Sequence, residues 1–194
     1  MKLNWINQID TTARSVALGT FDGVHRGHQK LLEITMASKP WGGTSCVCTF
    51  DIPPEHFFQG KPRLVSSFKR KVELIRDFGI DEVTWLRFGP ELTSTEADVF
   101  VREILVEQLQ ARHVICGFNY HFGSKRLGNA QYLQEQGRHY GFEVTVVPPV
   151  LGDNGKTISS TLIRQLLMEG DITQATNYLG YFPSYQGAVS QGAV

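Results

Sequence analysis

Short runs of apolar and β-branched residues recur along this chain and alternate with longer segments whose apolar positions return every three or four residues. SVALGT at 15–20, TSCVCTF at 44–50, IDEVTWLRF at 80–88, HVICGF at 113–118 and FEVTVVPPV at 142–150 have the length and composition of strands. Between them, Phe68, Val72 and Ile75 at helical spacing predict a helix over 67–78 that stops at Gly79. Ala97, Phe100, Val101, Ile104, Leu105 and Leu109 form one broad apolar stripe and predict another over 95–110. Two more helices are predicted near 159–169 and 171–179. Strand and helix alternate as in βαβ units, so the fold class is α/β, a mostly parallel sheet with helices on both faces. Ligands of such sheets bind beyond the carboxyl ends of the strands. That rule selects 19–28, 50–58, 117–128 and 157–164, each rich in glycine, hydroxyl, aromatic or charged residues.

Composition narrows the class. With 194 residues, 41% hydrophobic and 20% charged, the chain can bury one sizeable core. Lys and Arg number 19 and so do Asp and Glu, so no basic excess recommends a nucleic acid or an anionic membrane as partner. No stretch is long enough to span a bilayer, and MKLNWINQID lacks the pattern of a signal peptide, so a cytoplasmic location is expected. The three cysteines are an odd number, with Cys46 and Cys48 on one face of a strand, and they read as small core residues rather than a disulfide or metal site. There is no internal repeat. From Pro183 the chain turns small and polar, so 1–182 is read as one domain and 183–194 as a linker or the start of another.

The loop GTFDGVHRGHQ at 19–29 carries the most chemistry. Gly19, Gly23 and Gly27 permit close approach of backbone to a ligand, and a helix entered near Arg26 aims its first N–H groups and dipole at an anion. His25 and His28, three apart, fall on the same side of a first helical turn. Two imidazoles there can donate to phosphate oxygens and stabilise charge in phosphoryl or nucleotidyl transfer, or they can be solvated or capping residues. A zinc site lacks further ligands at matching spacing, and the loop does not fit G-x-G-x-x-G, which disfavours hydride transfer. In TISSTLIRQLL at 157–167, Ser159 or Ser160 can cap the next helix. The same hydroxyls, with Thr161 and Arg164, can instead make a second phosphate cradle.

GTFDGVHRGHQKLL resembles the G-x-F-D-G-x-H-x-G-H signature of the adenylyltransferase module of bacterial bifunctional riboflavin kinase/FMN adenylyltransferases, and ISSTLIR is similar to that family's I-S-S-T-x-I-R. GFNYHFG with Gly128 after it, VVPPV, and GDITQATNYLG extend the resemblance, in order, from about 14 to 182. It implies a Rossmann-like H-x-G-H nucleotidyltransferase fold that joins FMN to the AMP part of ATP, with Mg2+ on the triphosphate and pyrophosphate released. It implies that His25, His28, Ser160, Thr161 and Arg164 carry catalysis, while Gly19, Thr20, Phe21, Asp22, Gly23, Gly27 and Ser159 shape the ATP pocket. Asn119 matches a position that helps order the metal or the flavin phosphate, and no direct metal ligand is assigned. Where the family reads F-x-P-H-P this chain has FDIPP, leaving Asp51 as a polar contact for FMN. Phe57, Phe58, Phe118, Tyr120 and Phe122 either border a flavin ring or pack the core. The kinase signature G-F-P-T-A-N is absent, so a riboflavin kinase module is expected only in a longer chain, and riboflavin phosphorylation is not expected from this one. Two alternatives stay open: transfer to another phosphorylated acceptor, and a non-catalytic flavin- or nucleotide-binding module.

Overall fold

The structure, a computed structural model, describes residues 1–5, 10–54, 64–153 and 155–184. Five of the six strands of its main sheet lie where the apolar runs predict them. They are β2 (Arg14–Leu18), β3 (Thr44–Phe50), β4 (Glu82–Leu86), β5 (Ala111–Gly117) and β8 (Glu143–Val147). The sixth, β1 (Lys2–Trp5), pairs with β4 at the sheet edge; four residues, two of them polar, left no pattern to read. The order is β1-β4-β3-β2-β5-β8 and every pairing is parallel. The direction of strand order therefore reverses between β2 and β5. In a doubly wound sheet the ligand crevice opens at that switch point, beyond the strands' carboxyl ends.

Alternation along the strands sorts the core onto two faces. Val16, Leu18, Cys46, Cys48, Val114 and Cys116 join one cluster, and Ala17, Val47 and Ile115 the other. Helices α1 (Arg26–Ala37) and α2 (Phe68–Phe78) cover the second face through Leu31, Leu32, Val72 and Ile75. The first face is covered by α4, which starts as Ala97–Val99 and continues through Phe100–Gln108, and by α5 (Ala130–Tyr140). The later part of α4 is a wide π-helix, closed by the Leu109 N–H on the Ile104 carbonyl five residues back at 2.8 Å. Helix α5 escaped the pattern because only Leu133 and Gly137 are buried along it, and α3 (Pro90–Ser94) because nothing in it is. A small hairpin, β6 (His121–Phe122) with β7 (Gly128–Asn129), leads into α5. Helices α6 (Ser160–Glu169) and α7 (Ile172–Leu179) form a third cluster around Ile163, Leu166 and Tyr178. The three cysteines are free and buried, as the alternation implies. At the opposite end of the sheet from the switch point, Arg14 and Glu82, each 1% exposed, pair at 2.8 Å and tie β2 to β4. Removing either partner would strand a buried charge.

Candidate functional site

The loop from β2 to α1 is held in a shape its sequence does not adopt freely. Phe21 and Val24 have φ of 51° and 38°, which non-glycine residues hold only at a cost of about 1–3 kcal/mol each unless the surroundings fix them. The surroundings do so. The Asp22 carboxylate accepts the Val65 and Ser66 N–H groups at 3.1 and 3.0 Å, and the Ser66 hydroxyl accepts the Gly23 N–H at 2.9 Å. The Tyr181 hydroxyl donates to the Gly23 carbonyl at 2.6 Å, and the Gln29 amide bridges the Val24 and Leu179 carbonyls.

At the end of this loop His25 caps α1, its Nδ1 accepting the His28 N–H at 3.3 Å. That bond fixes the neutral His25 proton on Nε2. The two imidazoles stack with centroids 3.7 Å apart and planes 20° from parallel, and Phe21 lies against His28 at 5.0 Å. Gly27 makes the stack possible: a Cβ there would sit 3.0 Å from His25 Cε1. Burial lowers His25 to about 4. Burial, then the neighbouring His25 and Lys71 charges, hold His28 well below the ordinary imidazole range. The pair is neutral at pH 7 and interacts as dipoles and N–H donors.

Helix α6 meets the same loop. Ser159 is the N-cap, accepting the Leu162 N–H at 3.2 Å. The Ser160 hydroxyl donates to the Asp22 carbonyl at 2.8 Å, and Arg164 pairs with the Asp22 carboxylate at 3.1 Å and donates to Thr161 at 3.1 Å. Asp22, 4% exposed, thus spends its carboxylate on the protein, as an anchor for the 65–66 backbone and for Arg164.

These groups line one cavity of about 780 Å³, within the range of small-molecule sites. Gly19, Thr20, Asp22, His25, Gly27, His28, Ser159, Ser160, Thr161, Arg164 and Asn119 all border it. Asp51 does not: its carboxylate holds the Ile52 and Phe88 N–H groups at 2.7 and 2.8 Å and faces a separate small recess beside Lys71. Phe21 and Gly23 support the loop from behind, Phe21 with no exposed surface. Phe57 and Phe58 lie outside the described residues. Phe118, 49% exposed, stands at the cavity; Phe122 also reaches the lining but is buried, packed on Phe100 at 5.0 Å over Gly128. Tyr120 stacks on Phe122 at 5.8 Å.

Sequence reading missed three contributors. Lys125 and Arg126 border the cavity and, among the described residues, make no side-chain hydrogen bond or ion pair; successive φ values of 53° and 60° give no sequence signal in non-glycine residues. Lys71 donates to the Thr20 and Phe50 carbonyls and to the Thr49 hydroxyl. A signal for it existed: Lys71 sits three residues after Phe68 and four before Ile75, on the apolar stripe itself. Among the described residues no group of three His, Cys, Asp or Glu side chains converges as a cation site. No helix among them is long and apolar enough to cross a membrane. The thiols of Cys46 and Cys116 are pushed up to about 12 and about 11 by burial, and no cysteine borders the cavity.

Comparison with known proteins adds the family. The family model for FAD synthetase matches residues 7–162. A bifunctional riboflavin kinase/FMN adenylyltransferase of Buchnera aphidicola subsp. Schizaphis graminum is 35% identical over 181 residues, 92% of this chain and 58% of its own length. The Escherichia coli (strain K12) protein of that name is 29% identical over 180 residues, 91% of this chain and 57% of its own. The chain thus spans less than two thirds of these relatives. A Geobacillus thermodenitrificans relative, named provisionally for the same two activities, is 36% identical over 93% of this chain and 98% of its own length. Among solved structures, one from Streptococcus pneumoniae named as a macrolide-efflux protein superposes with a TM-score of 0.79 at 28% identity, over 93% of this chain and 60% of that one. Pantothenate synthetase from Thermus thermophilus, at TM-score 0.54 and 16% identity over 93% of this chain and 81% of its own, shares the fold.

Proposed function

The chain belongs to the FAD synthetase family, and from that premise we propose that it transfers AMP from ATP to FMN, forming FAD and pyrophosphate. The observation that carries this reading is the stacked, neutral imidazole pair on the N-terminus of α1, sharing a cavity with the N-terminus of α6 and Arg164. Two helix N-termini, paired N–H donors and one guanidinium suit a polyphosphate.

In this reading a phosphate oxygen of FMN attacks the α-phosphorus of ATP. The new P–O bond forms as the bond to the bridging oxygen breaks, and pyrophosphate leaves with the electron pair. No protein nucleophile takes part. His25 and His28 donate to the triphosphate as charge moves toward the leaving group, the role of preorganised donors in such transfers. Ser160, Thr161 and Arg164 hold the phosphates that depart. Gly19, Thr20, Phe21, Asp22, Gly23, Gly27 and Ser159 shape the nucleotide pocket, Asp22 through its hold on Arg164 and the loop. Asn119 is the polar contact for the acceptor, and Asp51 acts behind the 51–52 turn rather than on FMN. Mg2+ belongs to this proposal as a companion of the triphosphate, and no step passes through it. A cytoplasmic location, the 1–182 domain and a kinase module in a longer chain belong to the same proposal.

The test is product analysis by chromatography after incubation with α-phosphate-labelled ATP, Mg2+ and separate phosphorylated acceptors: FMN, a sugar phosphate and a pyridine mononucleotide. Label is expected in FAD, and in no product of the other two. Label in another product, or binding without turnover, would replace this reading.

A further inference from the structure

Lys71 is a charge buried where the fold alone does not need one. It sits on the inner face of α2 with 3% of its surface exposed, and no carboxylate lies within ion-pair distance among the described residues. Its ammonium instead has three short contacts: the Thr20 carbonyl at 3.1 Å, the Thr49 hydroxyl at 3.1 Å and the Phe50 carbonyl at 2.9 Å. The Thr49 hydroxyl donates in turn to the Thr20 carbonyl at 3.1 Å. These acceptors stand just where the pairing of β2 with β3 ends, at Leu18 with Cys48. Beyond that point β2 leaves the sheet while β3 continues to Phe50 paired only with β4, and Thr20 and Phe50 both border the cavity. Lys71 bridges them where ladder bonds no longer do, and with three acceptors for its three N–H groups it has none left for a substrate.

We propose that Lys71 is a positioning residue of the transfer site, clamping the carboxyl ends of β2 and β3 behind the imidazole pair and placing a fixed positive charge there. The inference rests on the reading of the cavity as a nucleotidyl-transfer site. A methionine of similar length would fill the slot without the penalty of burying a charge, so retention of an ammonium is explained by what it does for its neighbours. The groups that face it are Asp22 from the β2–α1 loop, Asp51 from the turn after β3, His28 from α1 and the Phe68 ring at 5.1 Å. Burial lowers Lys71 to about 8, with Asp22 and Asp51 opposing, and its charge helps keep His28 neutral. Below about pH 8 the clamp is therefore charged; above it, the charge and one N–H donor are lost.

The experiment compares Lys71→Met with the wild type in FAD formation and follows both by NMR of the histidine rings across pH. The expected result is a kcat lower by on the order of tenfold to hundredfold, the scale of a small misplacement of reacting groups, with KM for ATP within about threefold. In the wild type kcat/KM falls as the pH rises through about 8. In Lys71→Met that fall is gone, and His28 titrates at a higher pH. A kcat within about threefold of wild type together with an unmoved His28 titration would overturn the inference. If Lys71→Met does not fold, the wild type decides: a kcat/KM profile and His28 resonances unchanged across about pH 8 would reject the clamp. If the wild type makes no FAD, the nucleotidyl-transfer reading fails on its own, and the ring titrations still show whether Lys71 acts on the imidazoles.

Discussion

The cavity lining from the β2–α1 loop and α6 is committed, whereas the lining from 118 to 126 is open. In the first, Asp22, Ser160 and Arg164 are bonded to one another across the wall, Ser159 caps α6, and Gln29 and Tyr181 hold the strained loop from behind it. In the second, Phe118, Asn119, Lys125 and Arg126 are exposed, and the two cations have no partner among the described residues. A wall that is fixed before ligand arrives suits stabilisation of charge that develops in the same place at every turnover. An open wall of one aromatic ring, one amide and two cations suits recognition of a particular acceptor. On the proposed reading, transfer belongs to the first region and choice of acceptor to the second.

The largest effect is expected at the heart of the committed wall. His28→Ala should lower kcat by on the order of a hundredfold or more with the fold intact by circular dichroism, the scale for one preorganised donor. Arg164→Ala should come close to it, and should also loosen the loop, since Asp22 loses its cation; faster hydrogen exchange at Val65 and Ser66 would register that. A single methyl group sharpens the comparison. Gly27→Ala places a Cβ against His25 at 3.0–3.1 Å. Its gain in helix propensity, up to about 1 kcal/mol, should keep the melting temperature near wild type while the displaced ring lowers kcat by about tenfold. The smallest effect is on stability. His25 falls to about 4 in the folded chain, so the unfolded state binds its proton first. The His25 contribution is full above about pH 6.5, the ordinary imidazole value, and is lost as the pH falls from there through about 4. Thermal melts of wild type and His25→Asn should converge over that window.

What was legible in the sequence follows the same division. A spacing of three sets His25 as the N-cap of α1 against His28, the third residue of the helix, so their partnership is local in sequence, and the alternation in TSCVCTF places Cys46 and Cys48 in the core. The parallel sheet followed from the order of strands and helices. The partners of Asp22 could not be read, because Val65 and Ser66 lie 43 and 44 residues away and Arg164 lies 142 away. Asp51 looked like a ligand contact because its bonds to the Ile52 and Phe88 N–H groups exist only once the chain is folded. Ser159 and Ser160 were equal candidates for the cap until the fold gave Ser160 the Asp22 carbonyl. Lys71, between Phe68 and Ile75 on the apolar stripe, carries a local sign of its burial that does not reveal which groups it meets. α5, with its thin buried stripe, and β1, only four residues long, left no periodicity to find.

The division of labour is tested most directly by steady-state FAD formation in His28→Ala and Arg126→Gln, with kcat and the KM for ATP and for FMN determined for each. The account expects His28→Ala to lose kcat with KM for FMN little changed. It expects Arg126→Gln to keep kcat and to raise KM for FMN by about two- to fivefold, the scale of one exposed charge contact, with KM for ATP unchanged. The reverse pattern, an FMN-specific defect in His28→Ala with a loss of kcat in Arg126→Gln, would contradict it.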